Sequence, residues 1–196
     1  MIKMGRSVFY GWQNVFPFRI PEWEDKSVTI THMKVPPVWT PEMIEWKGGS
    51  VYSFRNVAIE INEDRLFFLV KLPHGYQEGS EIALHAHWVG EDTDAGDVCW
   101  KFTYSWANET DDEGFPDPSE IWATQSNNES VADQLNDAYT EHIDGTGMKI
   151  ASQIVGSIRR NSSNSADTYS GKAYLTDLTL CFYQDQVGSQ DHWTKP

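Results

Sequence analysis

Positive charge is scarce in this 196-residue chain: 15 Lys and Arg stand against 29 Asp and Glu, a formal net charge of −14. Such a surface repels phosphate backbones, which excludes nucleic-acid partners on electrostatic grounds. Cysteine is nearly absent. Cys99 and Cys181 are the only two, too few for a disulfide framework or a cysteine metal cluster, and they read as reduced, buried residues. Long apolar runs are missing as well; none approaches the ~18 residues of a membrane span, so no membrane partner is expected. The opening MIKMGRSVFYGW lacks the apolar core of a secretory signal, and synthesis in a cytoplasm is the expectation.

The signatures of catalysis are absent too. No GxSxG elbow, GxxxxGK[ST] phosphate loop or HExxH helix occurs, and these are the spacings that would place a nucleophile, a phosphate or a zinc ion. His142 lies near Asp144, a pairing any chain of this size offers, and with 29 acidic residues a carboxylate pair carries no signal. A non-enzymatic protein without a cofactor is expected. Convincing helical stripes are also missing, which leaves an all-β fold.

What the chain does have is aromatic residues, 13 % of it with nine Trp, and these favour strands. The stretch 71–106 organises the rest. Ile82, Leu84, Ala86 and Trp88 alternate with Glu81, Ala83, His85 and His87, and Val98, Trp100, Phe102, Tyr104 and Trp106 alternate with Cys99, Lys101, Thr103 and Ser105. Strict alternation marks strands with one buried face. Gly90–Asp97, built from Gly, Ala, Asp, Glu and Thr, reads as the solvated turn of a hairpin. Trp88, Trp100, Phe102, Tyr104, Leu180 and Phe182 are the expected core.

Residues 1–47 differ from the rest of the chain. They mix Trp12, Trp23, Trp39 and Trp46 with Pro17, Pro21, Pro36, Pro37 and Pro41. Proline removes backbone donors, so this part holds no central strand or long helix. It reads as an extended arm with one strand near Ser27–Met33, and residues 48–196 as the sandwich domain. Within that domain Val57–Ile61 and Leu66–Leu72 predict a hairpin and Ile121–Gln125 a short strand. Val131, Leu135, Ala138 and His142 fall at helical spacing in a polar stretch that admits one short helix or strand. Met148–Arg159, with Met148, Ile150, Ile154 and Ile158 on one face, and Lys172–Tyr183, with Tyr174, Leu178, Leu180 and Phe182 on one face, predict two closing strands. About eight strands without a repeat fit an antiparallel β-sandwich of the jelly-roll type.

Three constellations carry chemistry. His85 and His87 share one strand face, a spacing metal sites use, but Lys101 and Thr103 on the expected facing strand offer no third ligand. Without one, the pair reads as part of a polar face and no metal is expected within one chain, although three chains around a threefold axis would bring six imidazoles together. Asp92, Asp94 and Asp97 make an oxygen-rich loop without the ligand order of an EF-hand. Exposed Trp and Tyr on a sandwich can stack on sugar rings, with Trp12, Trp39, Trp122 and Tyr139 as candidates for such a platform.

Several motifs occur together in order. Pro73-His74-Gly75-Tyr76-Gln77-Glu78-Gly79-Ser80 is followed by His85-Ala86-His87-Trp88, then by Trp100 with Tyr104 and Trp106. Later come Ser157-Ile158-Arg159-Arg160, Ala166-Asp167-Thr168-Tyr169 and Val187-Gly188-Ser189, while Trp23-Glu24-Asp25 stands near the start. This set, over most of residues 23–190, resembles a family of tailed-bacteriophage virion structural proteins. One departure is Cys181-Phe182-Tyr183, where relatives often carry a histidine. The resemblance implies a non-enzymatic virion component made in the host cytoplasm, nearest in role to a head decoration or cement protein. A homotrimer bound to the major capsid protein or another virion protein is then expected, with Trp12, Trp23, Trp39, Trp46, His85 and His87 as interface candidates. A tail, neck or fibre-associated component and a carbohydrate-binding host-attachment module are the alternatives.

Overall fold

Ile82, Leu84, Ala86 and Trp88 point inward from one strand, and none of the four exposes any surface. Their alternation is the pattern on which both sheets of this computed structural model are built. The structure describes residues 21–56, 64–109, 114–127 and 131–188. The strands are β1 (Glu22–Val28), β2 (Glu42–Trp46), β3 (Gly49–Phe54), β4 (Arg65–Lys71), β5 (Ile82–Gly90), β6 (Asp97–Ala107), β7 (Ser119–Ser126), β8 (Asn136–Tyr139), β9 (Gln153–Arg160) and β10 (Ala173–Gln184). A single 3-10 turn at Ile30–His32 is the only helical element among the described residues.

The larger sheet runs β2-β3-β10-β5-β8, and β1 pairs with β10 beyond the end of β3. The smaller runs β4-β9-β6-β7, and every ladder is antiparallel. From β3 onward the chain visits the two sheets in the order of a jelly roll, with β3, β5, β8 and β10 in one layer and β4, β6, β7 and β9 in the other. The protein is thus an all-β, antiparallel sandwich of the expected type. Its core lies between the layers, where Trp100 meets Phe54 edge-on at 5.2 Å and Trp88 at 6.4 Å. Leu66, Phe102, Ile158, Leu178, Leu180 and Phe182 complete it. Of the expected core residues only Tyr104 is half-exposed.

Four expectations need correction. β5 and β6 do not pair as a hairpin: β5 bonds to β10 and β8, and β6 to β7 and β9. Gly90–Asp97 therefore carries the chain from one sheet to the other, which lets both aromatic faces bury against each other. The arm boundary at residue 47 also fails. β1 and β2 belong to the larger sheet, and Val28, Ile30 and Met33 enter the core, so the sandwich includes residues well before 48. The prolines are respected all the same, because both are edge strands and the prolines flank them. Of the two readings for the stretch around Val131–His142, the strand is the one formed, β8: Val131 and Leu135 stay exposed while Asn136, Ala138 and Thr140 turn inward.

β9 starts at Gln153 and not at Met148, because Ala151 takes a positive φ of 64° and closes a turn. Met148 and Ile150 are buried through that turn instead. In β10 a bulge between Leu175 and Asp177 inserts one residue. Before it Ala173 and Leu175 point inward; after it Leu178, Leu180 and Phe182 do. Because side chains alternate with a period of two, one extra residue exchanges the faces, and Tyr174 ends on the outside. The strand expected at Val57–Ile61 lies outside the described residues.

Candidate functional site

The outer face of the larger sheet is where the polar residues of β1, β5, β8 and β10 converge, and its register places them in rows. Ser27, Thr179, His85 and Tyr139 stand abreast across four strands, and Asp25, Cys181 and Ala83 form the next row. Trp23 and Tyr183 are abreast in the row after that. The middle row has short side chains at Cys181 and Ala83, both buried, so the face dips there. Aromatic walls rise on either side. Trp23 packs on Tyr183 at 4.1 Å and on His142 at 5.2 Å, and Tyr139 packs on His85 at 5.8 Å. The resulting groove encloses about 420 Å³.

Its polar groups are held in place. Cys181 Sγ donates to Asp25 Oδ1 at 2.7 Å. Burial, and then this carboxylate, push the Cys181 thiol well above its ordinary range, so it stays a protonated donor and not a nucleophile. The Asp137 carboxylate lies 3.2 Å from His85 Nδ1 and 3.8 Å from His87 Nδ1. His87 Nε2 is 3.0 Å from Thr179 Oγ1. At the far wall His142 Nδ1 is 2.8 Å from Glu81 Oε2. Among the described residues no Lys or Arg lines the groove.

The chemistry available is recognition: flat aromatic faces beside hydrogen-bonding groups that are already oriented. The expected facing residues of the histidine pair, Lys101 and Thr103, lie in the other sheet; the actual neighbours are Asp137 and Thr179. Even so, no group of three or more His, Cys, Asp or Glu side chains among the described residues is arranged to hold a metal ion. The acidic loop is likewise committed internally. Asp92 Oδ1 accepts from the Asp94 N–H and from the Tyr169 hydroxyl, and Asp97 Oδ1 accepts from Ser126.

The aromatic candidates scatter. Trp23, His85 and Tyr139 meet at the groove. Trp39 sits in a loop with φ 58° and its carbonyl accepts from the Arg65 N–H. Trp46 ends β2 under Lys47, and Trp122 lies on the opposite sheet beside Lys101. Trp12 lies outside the described residues. Asp25, Asp137 and the low floor at Ala83 and Cys181 escaped sequence reasoning. Trp23 and Asp25 share a face by alternation, as do Asp137 and Tyr139, but only the strand order brings the two pairs together.

No family model matches the chain, and no curated protein does. Among solved structures it is similar to a family two carbohydrate esterase from Cellvibrio japonicus, with a TM-score of 0.38, 14 % identity and 85 % of this chain covered. The chain spans only 36 % of that esterase's length. It is also similar to TmCBM61, solved in complex with β-1,4-galactotriose, with a TM-score of 0.32, 10 % identity, and 81 % of this chain and 86 % of that one covered. A third is a non-crystalline cellulose specific carbohydrate-binding module, CBM28, with a TM-score of 0.28, 10 % identity, and 79 % and 84 % coverage. Likenesses of this size carry no ligand or activity across to this chain.

Proposed function

We propose that this chain is a non-catalytic structural component of a tailed-bacteriophage particle whose outer sheet face binds carbohydrate. The observation that carries the binding half is the groove: Trp23 and Tyr139 stand on opposite walls of a floor made by Ala83 and Cys181, with Asp25, Asp137 and His85 beside them. A sugar ring offers flat C–H faces to aromatics and hydroxyls to carboxylates and imidazoles, which suits this lining. The virion half is supported by the ordered motifs and by the use the fold makes of them. Tyr76, Trp88, Trp100 and Tyr169 of those motifs are fully buried, which suits residues that build a scaffold.

On this reading the protein decorates the head as a homotrimer, with its acidic surface turned outward. Trp39 and Trp46, away from the groove, are its contacts with neighbouring subunits or the major capsid protein. The test has two arms on wild-type protein. Counting copies per purified virion alongside the mass in solution should give hundreds of copies and a trimer; a monomer at a dozen copies or fewer would move it to the tail. Host surface glycans should bind saturably, and Trp23→Ala with Tyr139→Ala should weaken that binding at least tenfold. Glycan binding that is indifferent to both substitutions would rule the groove out as the site.

A further inference from the structure

The geometry points to a groove that takes uncharged glycans and turns acidic ones away; this rests on the carbohydrate reading above and adds the sign of its ligand. A sugar lying on Ala83 and Cys181 between the aromatic walls has Asp25 at one end of its row and Asp137 beyond His85. Among the described residues no Lys or Arg lines the groove to neutralise either carboxylate. The Cys181 thiol occupies one oxygen of Asp25 without cancelling its charge, and it leaves the second oxygen free for a sugar hydroxyl. Carboxylates are acceptors only, so they reward hydroxyl donors and repel a uronate, sulfate or phosphate placed in the same position. Two such repulsions, partly screened by water, amount to about tenfold in affinity at low salt. Cys181 is thereby a positioning residue that fixes the carboxylate.

Matched ligands separate charge from shape. Hexamers of β-1,4-linked glucose, β-1,4-linked mannose and α-1,4-linked galactose, each with its C6-oxidised uronate counterpart, are titrated into the full chain by calorimetry. At least one neutral hexamer should bind, and its uronate should bind about tenfold more weakly at low salt. The gap should shrink in 0.5 M NaCl. It should also fall to about twofold in the isosteric Asp25→Asn, Asp137→Asn variant, which keeps an acceptor for the thiol and for His85. A uronate that binds as tightly as its neutral partner, or a gap unchanged in the double variant, overturns the charge selection while leaving carbohydrate binding in place. If no hexamer of either kind binds in a Trp23-dependent way, the carbohydrate reading itself fails, and the selection with it.

Discussion

Arg160 and Asp167 form a bidentate ion pair in the interior of the sandwich. Arg160 Nη2 lies 2.6 Å from Asp167 Oδ1 and Nε lies 2.9 Å from Oδ2, with the two side chains 1 % and 0 % exposed. The pair joins the segment Ser157-Ile158-Arg159-Arg160 to the segment Ala166-Asp167-Thr168-Tyr169. Arg160 also donates to the carbonyls of Tyr169 and Gly171, and Asp167 accepts from the Cys99 N–H. One guanidinium thereby ties the loop between β9 and β10 to the start of β6. Removing one partner strands a buried charge, so Asp167→Ala should cost roughly 3–5 kcal/mol in urea unfolding. A loss below about 1 kcal/mol would mean that the loop is anchored elsewhere.

The core makes a second stability prediction. Trp100 is fully buried between Phe54 and Trp88, at the meeting of the two sheets. Trp100→Ala should cost ~3–5 kcal/mol, from lost transfer energy and an unfilled cavity together. The half-exposed Tyr104 should lose less on the same substitution, and equal costs would argue against the two-layer packing described.

Alkaline pH gives a third. The Tyr76 hydroxyl is buried and donates to the Ser80 carbonyl at 2.5 Å, and burial pushes its pKa from 10.0 up to about 12. Burial likewise raises Tyr169 to about 12. A folded-state pKa above the unfolded one means that the native state holds its proton more tightly. The stabilisation is therefore full below about pH 10 and is lost as pH rises through about 12. Discounted for screening by nearby solvent, it amounts to roughly 1–2 kcal/mol for each tyrosine. Stability measured from about pH 9 to 12 should fall steeply, with the raised Cys181, Tyr104 and Tyr174 contributing as well, and Tyr76→Phe should make the slope measurably shallower. A slope unchanged by the substitution would contradict the assignment.

A glycine provides a fourth. Gly145 lies so close to the Tyr76 turn that a Cβ there would overlap the Ser80 carbonyl oxygen and sit 2.5 Å from the Tyr76 hydroxyl. The first of these is backbone and cannot swing away. Gly145→Ala should lower the thermal midpoint by several degrees, as expected for overpacking worth roughly 1–3 kcal/mol, whereas Gly114→Ala, with nothing near its Cβ position among the described residues, should not.

Alternation makes the sandwich legible in the sequence, because inward residues such as Leu84 and Phe102 repeat with the period of a strand. What alternation does not give is pairing. β5 and β6 are near neighbours in sequence and look like a hairpin, yet they lie in different sheets. The bulge in β10 is hidden for a related reason: Thr176 is an ordinary strand residue, and only the Trp88–Leu175 and His87–Asp177 register reveals the extra position. The groove is the least legible part. Trp23 falls in a proline-rich stretch that reads as an arm, Tyr139 in an ambiguous excursion and His85 in the organising strand, and only antiparallel pairing with β10 and across to β8 makes them neighbours. The prolines around residues 36–41 conceal the edge strands by resembling an unstructured tether.

Carbohydrate binding in the groove is tested most directly by following the indole N–H signals of the tryptophans by nuclear magnetic resonance as a neutral glycan hexamer is added. A saturable shift of the Trp23 signal is expected, with the signals of buried Trp88 and Trp100 and of Trp122 on the opposite sheet unmoved. Saturable shifts at Trp39 or Trp122 with Trp23 unmoved would place any binding elsewhere and contradict the groove.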